Sequence, residues 1–163
     1  MTTAKIRYEI WESPIGVLLL EDLGKGLNKL RHIPQPSQNQ EFRGIHSPSH
    51  FKPVIKWLKQ YFKGCSGQID FPLDLSEGTP FQQRVWNQLI KVPFGETVSY
   101  GELAARVKNP KGSRAVGGAV GRNPLLIVVP CHRVISGTGS LGGFSAGLSI
   151  KKQLLALEGH SQF

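Results

Sequence analysis

The sequence predicts an α+β protein in two lobes, a small β-sheet lobe with one helix over residues 1–78 and a mostly helical lobe over 79–163. Three observations carry this reading. The first third holds short apolar runs cut by Gly and Pro turns, a strand pattern. The second half opens two helices on N-terminal capping boxes. The charge is divided unevenly between the halves. Residues 1–80 hold ten Lys/Arg against eight Asp/Glu, whereas residues 81–163 hold ten against three.

The elements follow in order. Ile6–Trp11 alternates roughly as a half-buried strand, and Ser13-Pro14-Ile15-Gly16 is a turn. Val17–Leu20 is a strand-like apolar run, Gly24–Gly26 a second turn, and Leu27–Ile33 a third strand. Residues 34–50, rich in Pro, Ser and Gln, read as a loop. Val54, Ile55, Leu58, Tyr61 and Phe62 fall at helical spacing, and Gly64 ends that helix. Residues 64–78 are irregular and read as the link between lobes. Thr79-Pro80-Phe81-Gln82 opens the next helix, whose buried stripe is Val85, Trp86, Leu89 and Ile90. Ser99-Tyr100-Gly101-Glu102 opens another, with Leu103, Ala104 and Val107 as its apolar positions. After the turn Asn109-Pro110-Lys111-Gly112, Ser113 is placed to cap a third helix, Arg114–Gly121. Two short helices on a Gly-containing turn form a helix-turn-helix, and the lobe reads as winged-helix-like. Leu125–Val129 reads as a buried strand, Ser136–Gly147 as a glycine-rich loop, and Ile150–Glu158 as a last helix capped by Ser149.

Composition excludes several classes. The chain has 163 residues, 39% apolar and 19% charged, too apolar for a disordered tail. Its longest apolar run is far short of the ~20 residues needed to cross a bilayer. Two cysteines rule out a disulfide framework and Cys-rich zinc modules, and the reduced cytoplasm is the default compartment. No apolar leader stands in the first ten residues. Between Glu102 and Glu158 there is no carboxylate, yet Arg106, Lys108, Lys111, Arg114, Arg122, Arg133, Lys151 and Lys152 all lie there. One-signed charge over that length repels itself unless a polyanion is met, and nucleic acid is the obvious one.

The third helix carries Ala115, Gly117, Gly118, Ala119 and Gly121, where each Gly costs about 1 kcal/mol relative to Ala. Small residues admit a close neighbour, either another helix or a narrow groove. Cys131, His132 and Arg133 follow Pro130. Adjacent cations lower a thiol's pKa, so Cys131 reads as a nucleophile with His132 as base, while Cys65 reads as an inert small hydrophobe. Glu158 stands alone at a helix C-terminus, where it opposes the helix dipole, and that placement calls for a specific partner such as His132. His46-Ser-Pro-Ser-His50 cannot be helical through Pro48 and is taken as loop rather than a metal site. The glycine-rich loop lacks the GxxxxGK[ST] phosphate-cradle pattern.

The strings GETVSYGELA, NPKGSRAVGGAVGRNP, PCHRVI and EGH together resemble the 6-O-alkylguanine-DNA alkyltransferase family, almost without gaps from Thr79 to His160. The first lobe agrees more loosely, in length and in its SPIG turn, and would be ribonuclease-H-like. The resemblance implies direct DNA repair. An alkyl group passes from O6-alkylguanine, and from O4-alkylthymine, to Cys131, irreversibly and once per protein. It implies that His132 activates the thiol through a water, that Glu158 orients His132 and that Asn123 braces the turn. Tyr100 would help rotate the nucleotide out of the duplex and donate a hydrogen bond to the leaving base. Arg114 would fill the vacated place in the stack, with its helix in the minor groove. Ser113, Ala115, Gly117, Gln82 and Asn109 would contact DNA, and Val134, Phe144 and Ser145 would line the base pocket. Where Phe144 stands the family often has Tyr. The ring can still stack, without the hydroxyl.

No cofactor and no metal is expected. The expected partner is double-stranded DNA bearing O6-alkylguanine, with no membrane and no obligate protein partner. The chain would act as a monomer able to assemble cooperatively along DNA, in the cytoplasm or, in a eukaryote, the nucleus. Two other readings compete: a DNA-damage binder that transfers nothing, and a Cys-His hydrolase or acyltransferase that ignores DNA and turns over repeatedly.

Overall fold

The computed structural model describes residues 5–65 and 67–163. The first four residues, part of the stretch read as lacking a leader, lie outside the described residues. The chain divides into two compact units, Met1–Leu75 and Ser76–Phe163.

The first unit is built on strands β1 (Arg7–Ser13), β2 (Gly16–Asp22), β3 (Leu27–His32) and β4 (Ile45–His46), in the order β3-β2-β1-β4. β1 and β2 form an antiparallel hairpin with Arg7 opposite Asp22 and Ser13 opposite Gly16. Gly16 adopts φ +112, which few other residues tolerate. The β2 run is apolar throughout because both faces are covered. Val17 and Leu19 join Ile33 under Tyr8, Ile10 and Phe42, while Leu18 and Leu20, on the opposite face by alternation, are fully buried. β4 pairs parallel to β1, Arg7 opposite Ile45, inside the stretch expected to be loop. Two residues are too few to show an alternation, so the sequence gives no sign of this strand.

Helix α1 (Lys52–Tyr61) buries Val54, Leu58 and Tyr61. Trp57 stacks on Tyr61 at 5.8 Å and meets Phe71 edge-on at 6.2 Å, and Phe62 lies 6.1 Å from Trp11 of β1. The expected link is partly structural: Phe71 and Asp74 are buried. Leu27 N–H donates to the Pro72 carbonyl at 2.9 Å, and Asp74 N–H to the Leu27 carbonyl at 2.9 Å. His46 and His50 bond different carboxylates, Glu9 at 2.9 Å and Asp22 at 2.6 Å. Cys65, whose exposure the sequence leaves open, is exposed.

The second unit contains α2 (Pro80–Leu89), β5 (Val98–Ser99), α3 (Tyr100–Arg106), α4 (Ser113–Gly121), β6 (Val134–Ile135) and α5 (Leu148–Leu157). Both capping boxes form. The Gln82 side chain accepts from Thr79 N–H at 2.9 Å, and Glu102 from Ser99 N–H at 2.7 Å. α2, α3 and α4 pack on one another through Val85, Leu89, Leu103, Ala104 and Val116. Trp86 Nε1–H donates to the Ala119 carbonyl at 2.9 Å and pins α2 to α4. α3 and α4 are joined by residues 107–112, where Lys108 takes φ +61 and Gly112 N–H donates to the Asn109 carbonyl at 2.8 Å.

Three expectations are corrected here. Ser113 and Ser149 do not cap their helices; each lies inside the first turn, after Gly112 and Gly147, and neither helix has a side-chain cap. Leu125–Val129 is not a strand. It is a buried turn bracketed by Pro124 and Pro130, with Ile127 at φ +71. An apolar run of five residues carries no period that separates strand from buried turn.

Candidate active site

The site grows from a short 3₁₀ turn, Cys131–Arg133, entered from Pro130 and continued by β6. β6 pairs parallel with β5, Val98 opposite Val134 and Ser99 opposite Ile135. β5 runs straight into α3, so this two-residue ladder places Tyr100 beside the thiol turn.

Cys131 is 2% exposed. Asn123 organises the turn before it. Its Nδ2–H donates to the Val129 carbonyl at 2.7 Å and to Cys131 Sγ at 3.0 Å, and its Oδ1 accepts from Leu125 N–H at 2.8 Å. Ile127, β-branched in the left-handed region, is a strained residue of the kind that survives only where surroundings impose it. The three Asn123 bonds and complete burial supply that constraint.

His132 is wholly buried, and its Nε2 lies 2.7 Å from Glu158 Oε1. Arg133 grips the same carboxylate in a fork, Nε to Oε2 at 2.8 Å and Nη2 to Oε1 at 2.9 Å. Its Nη1–H donates to the Val92 carbonyl at 2.6 Å, and Gly95 N–H donates to Glu158 Oε2 at 3.1 Å. Burial works against the Glu158 anion. The bonds from His132 and Arg133 outweigh it and hold the carboxyl well below the usual range. His132 goes the other way: burial, only partly offset by Glu158, lowers its pKa and keeps the imidazole neutral. With Nε2–H donating to Glu158, Nδ1 carries the lone pair able to accept a proton.

The thiol differs from the activated group that its neighbours predict. Burial pushes Cys131 up to about 11, against the pull of the Asn123 amide and the Lys151 charge. Arg133 fails to activate it because its guanidinium is spent on Glu158. The resting state is therefore a thiol needing a base.

Lys151 has a role that its sequence context hides. By charge it belongs with the cations awaiting a polyanion, but its side chain is fully buried. Nζ donates to the carbonyls of Val134 at 2.6 Å, Leu141 at 2.5 Å and Gly143 at 3.3 Å, and lies 5.8 Å from the centre of the Phe144 ring. Burial lowers it to about 8. A Lys one residue inside an apolar stripe beginning at Ile150 is the one signal the sequence offers. Arg133 and Lys151 thus leave the exposed set, which retains Arg106, Lys108, Lys111, Arg114, Arg122 and Lys152.

A cavity of about 200 Å³ is lined by Tyr100, Gly117, Val120, Gly121, Gly143, Phe144 and Ser145. Tyr100 is half-buried, and its pKa is raised, chiefly by burial. Gly117 faces the Tyr100 ring, where a Cβ would sit 3.8 Å from it. Of the other expected residues, Ser113, Arg114 and Ala115 are exposed on the first turn of α4. Gln82 is engaged in its capping box, and Asn109 packs against Gly112. Val134 is buried with its carbonyl bonded to Lys151.

The class is thus an α+β protein whose mostly helical second unit holds a buried cysteine, braced by an Asn and followed by a His bonded to a buried Glu. Comparison with known proteins gives the class a family. The model of the 6-O-methylguanine DNA methyltransferase DNA-binding domain matches residues 80–160, and that of the family's ribonuclease-like domain matches residues 6–75. A methylated-DNA–protein-cysteine methyltransferase of Mycobacterium tuberculosis is 44% identical over 153 residues, 94% of this chain and 92% of that protein. One of Methanosarcina acetivorans is 45% identical over 161 residues, 93% of this chain and 97% of the other. The crystal structure of Mycobacterium tuberculosis OGT in complex with DNA superposes with a TM-score of 0.83 at 44% identity, covering 93% of this chain and 92% of that one. The chain belongs to the 6-O-methylguanine DNA methyltransferase family and is a methyltransferase.

Proposed function

We propose that the protein repairs duplex DNA by moving the alkyl group of O6-alkylguanine onto Cys131, once per molecule. The observation that carries this is the buried thiol held by Asn123 at the end of a turn whose next residue is a neutral His on a Glu–Arg anchor.

The chemistry balances without an outside reagent. Cys131 Sγ attacks the alkyl carbon, an S–C bond forms, and the C–O6 bond breaks with its electron pair left on guanine. The thiol proton passes to His132 Nδ1, directly or through a water, and from there to the guanine. Products are a thioether and a normal guanine. Thioethers do not hydrolyse, so Cys131 is not regenerated. His132 suits the base role because it is neutral and Glu158 stabilises the imidazolium formed on proton uptake. Tyr100 Oη–H donates to the leaving base, and the Phe144 ring and Ser145 bound the pocket beside Gly117.

A base inside a duplex cannot reach a buried sulfur, so the damaged nucleotide is extruded. Arg114, exposed at the first turn of α4, takes its place in the stack, and the small face of α4 lets the helix enter the minor groove, about 6 Å wide. In this reading Ser113, Ala115, Asn109 and Gln82 contact the backbone. The same attack on O4-alkylthymine needs only a smaller base in the pocket. No cofactor or metal takes part in any of these steps.

Intact-mass measurement after exposure to an O6-methylguanine duplex tests the reading. One added methyl per chain, mapped to Cys131 and absent in Cys131→Ser, is expected, with DNA affinity of the variant unchanged within about twofold. An unchanged mass, or turnover without modification, overturns it.

A further inference from the structure

A second acid-free stretch lies in the first unit. From Phe42 to Ile69 there is no carboxylate, and Arg43, Lys52, Lys56, Lys59 and Lys63 all fall there. The last four stand at spacings of four, three and four residues along α1 and its final turn, which puts them on one face. All four are exposed, and with Ile55 and Gln60 they line one shallow groove opposite the buried Val54, Leu58 and Tyr61.

This face is locally unfavourable. Like charges three and four residues apart destabilise a helix. Lys52 occupies the first helical position, where the dipole repels a cation, and no acidic residue stands in that turn to offset it. Among the described residues none of the four is in an ion pair. A solvated helix face usually mixes signs; this one carries a single sign.

We infer that the lysine face of α1 is a second docking surface for the phosphate backbone of duplex DNA, separate from α4. The occupant is a polyanion with regularly spaced charge. Lys52 to Lys63 spans about 16 Å along the helix axis at 1.5 Å per residue. One DNA strand presents about five phosphates over that length, at 3.4 Å each. The lysines are point charges on flexible stems, suited to sequence-independent phosphate binding. The inference rests on the DNA reading above and adds affinity without touching the alkyl-transfer chemistry.

The test compares the full chain with a fourfold Lys→Gln variant at 52, 56, 59 and 63, and with the fourfold Lys→Arg variant. Gln is a good helix former, and circular dichroism checks that the fold is kept. Each phosphate that the variant no longer neutralises should flatten the slope of log affinity against log salt by about 0.9, so up to ~3.6 for four. Arg should restore the slope, and all three proteins should react equally with free O6-benzylguanine. An unchanged slope in the Gln variant, with the parent still binding duplex, overturns this inference alone. No salt-dependent binding by the parent removes the DNA reading with it. Lysine-dependent binding to phosphatidylserine vesicles, with DNA binding unaffected, assigns the face to a membrane surface and also overturns the inference.

Discussion

At the scale of single residues, the site depends on one carboxylate with four donors. Glu158 receives His132, both arms of Arg133 and Gly95 N–H, and its side chain is fully buried. Removing the charge while leaving Arg133 buried should cost about 3–5 kcal/mol. Glu158→Gln is expected to show that loss in urea unfolding and to lose alkyl transfer. Because the folded carboxyl is held below its unfolded value of about 4.3, its contribution is complete above that pH. It fades as pH falls below it. Acid unfolding of the parent should therefore steepen below about pH 4, and the Gln variant should lack that component. Cys131, raised to about 11, behaves oppositely in reactivity. Its alkylation by iodoacetamide should climb about tenfold per pH unit through the range 8–10. A plateau below pH 8 would mean that the resting group is a thiolate.

At the scale of elements, Ser136, Thr138 and Ser140 tie the first part of the pocket loop to itself, while Lys151 holds the part that lines the cavity. The segment Ser136–Gly147 is glycine-rich, and three of its surrounding carbonyls, those of Val134, Leu141 and Gly143, converge on one ammonium. Hydrogen bonds to a charged group are worth about 1.5–3 kcal/mol each. Lys151→Met keeps the stem and removes the donors. It should raise amide exchange at Gly142–Ser145 at least tenfold and weaken reaction with free O6-benzylguanine more than generic thiol alkylation. Equal exchange in variant and parent would remove the loop-holding role. The helix starts are more modest: Thr79→Ala should cost about 1 kcal/mol, read as a shift in the urea midpoint.

At the scale of the whole molecule, charge governs how the protein meets DNA. The exposed cations of the second unit are Arg84, Lys91, Arg106, Lys108, Lys111, Arg114, Arg122 and Lys152, with Arg133 and Lys151 internal, and on the DNA reading the exposed set supplies the steering field. Arg114→Ala should reduce repair in duplex DNA by about tenfold or more while sparing the reaction with the free base, since only the former needs a filled stack. Equal losses in the two assays would exclude the wedge.

Much of the architecture is written locally. The capping boxes at Thr79 and Ser99 and the β1–β2 turn are short-range patterns whose physics is contained in a few neighbouring residues, so the sequence alone determines those helix starts and the hairpin, and the PCHR string singles out Cys131 as the candidate nucleophile without giving its protonation state. Pairings between distant segments leave no such trace. That Arg133 turns to Glu158 rather than to Cys131, that Lys151 goes inward, and that β4 joins β1 were decided only by tertiary structure. The charges involved look the same in a string whether they face water or a buried partner. Burial sets both the sign and the size of their effect, and burial exists only once the chain has closed.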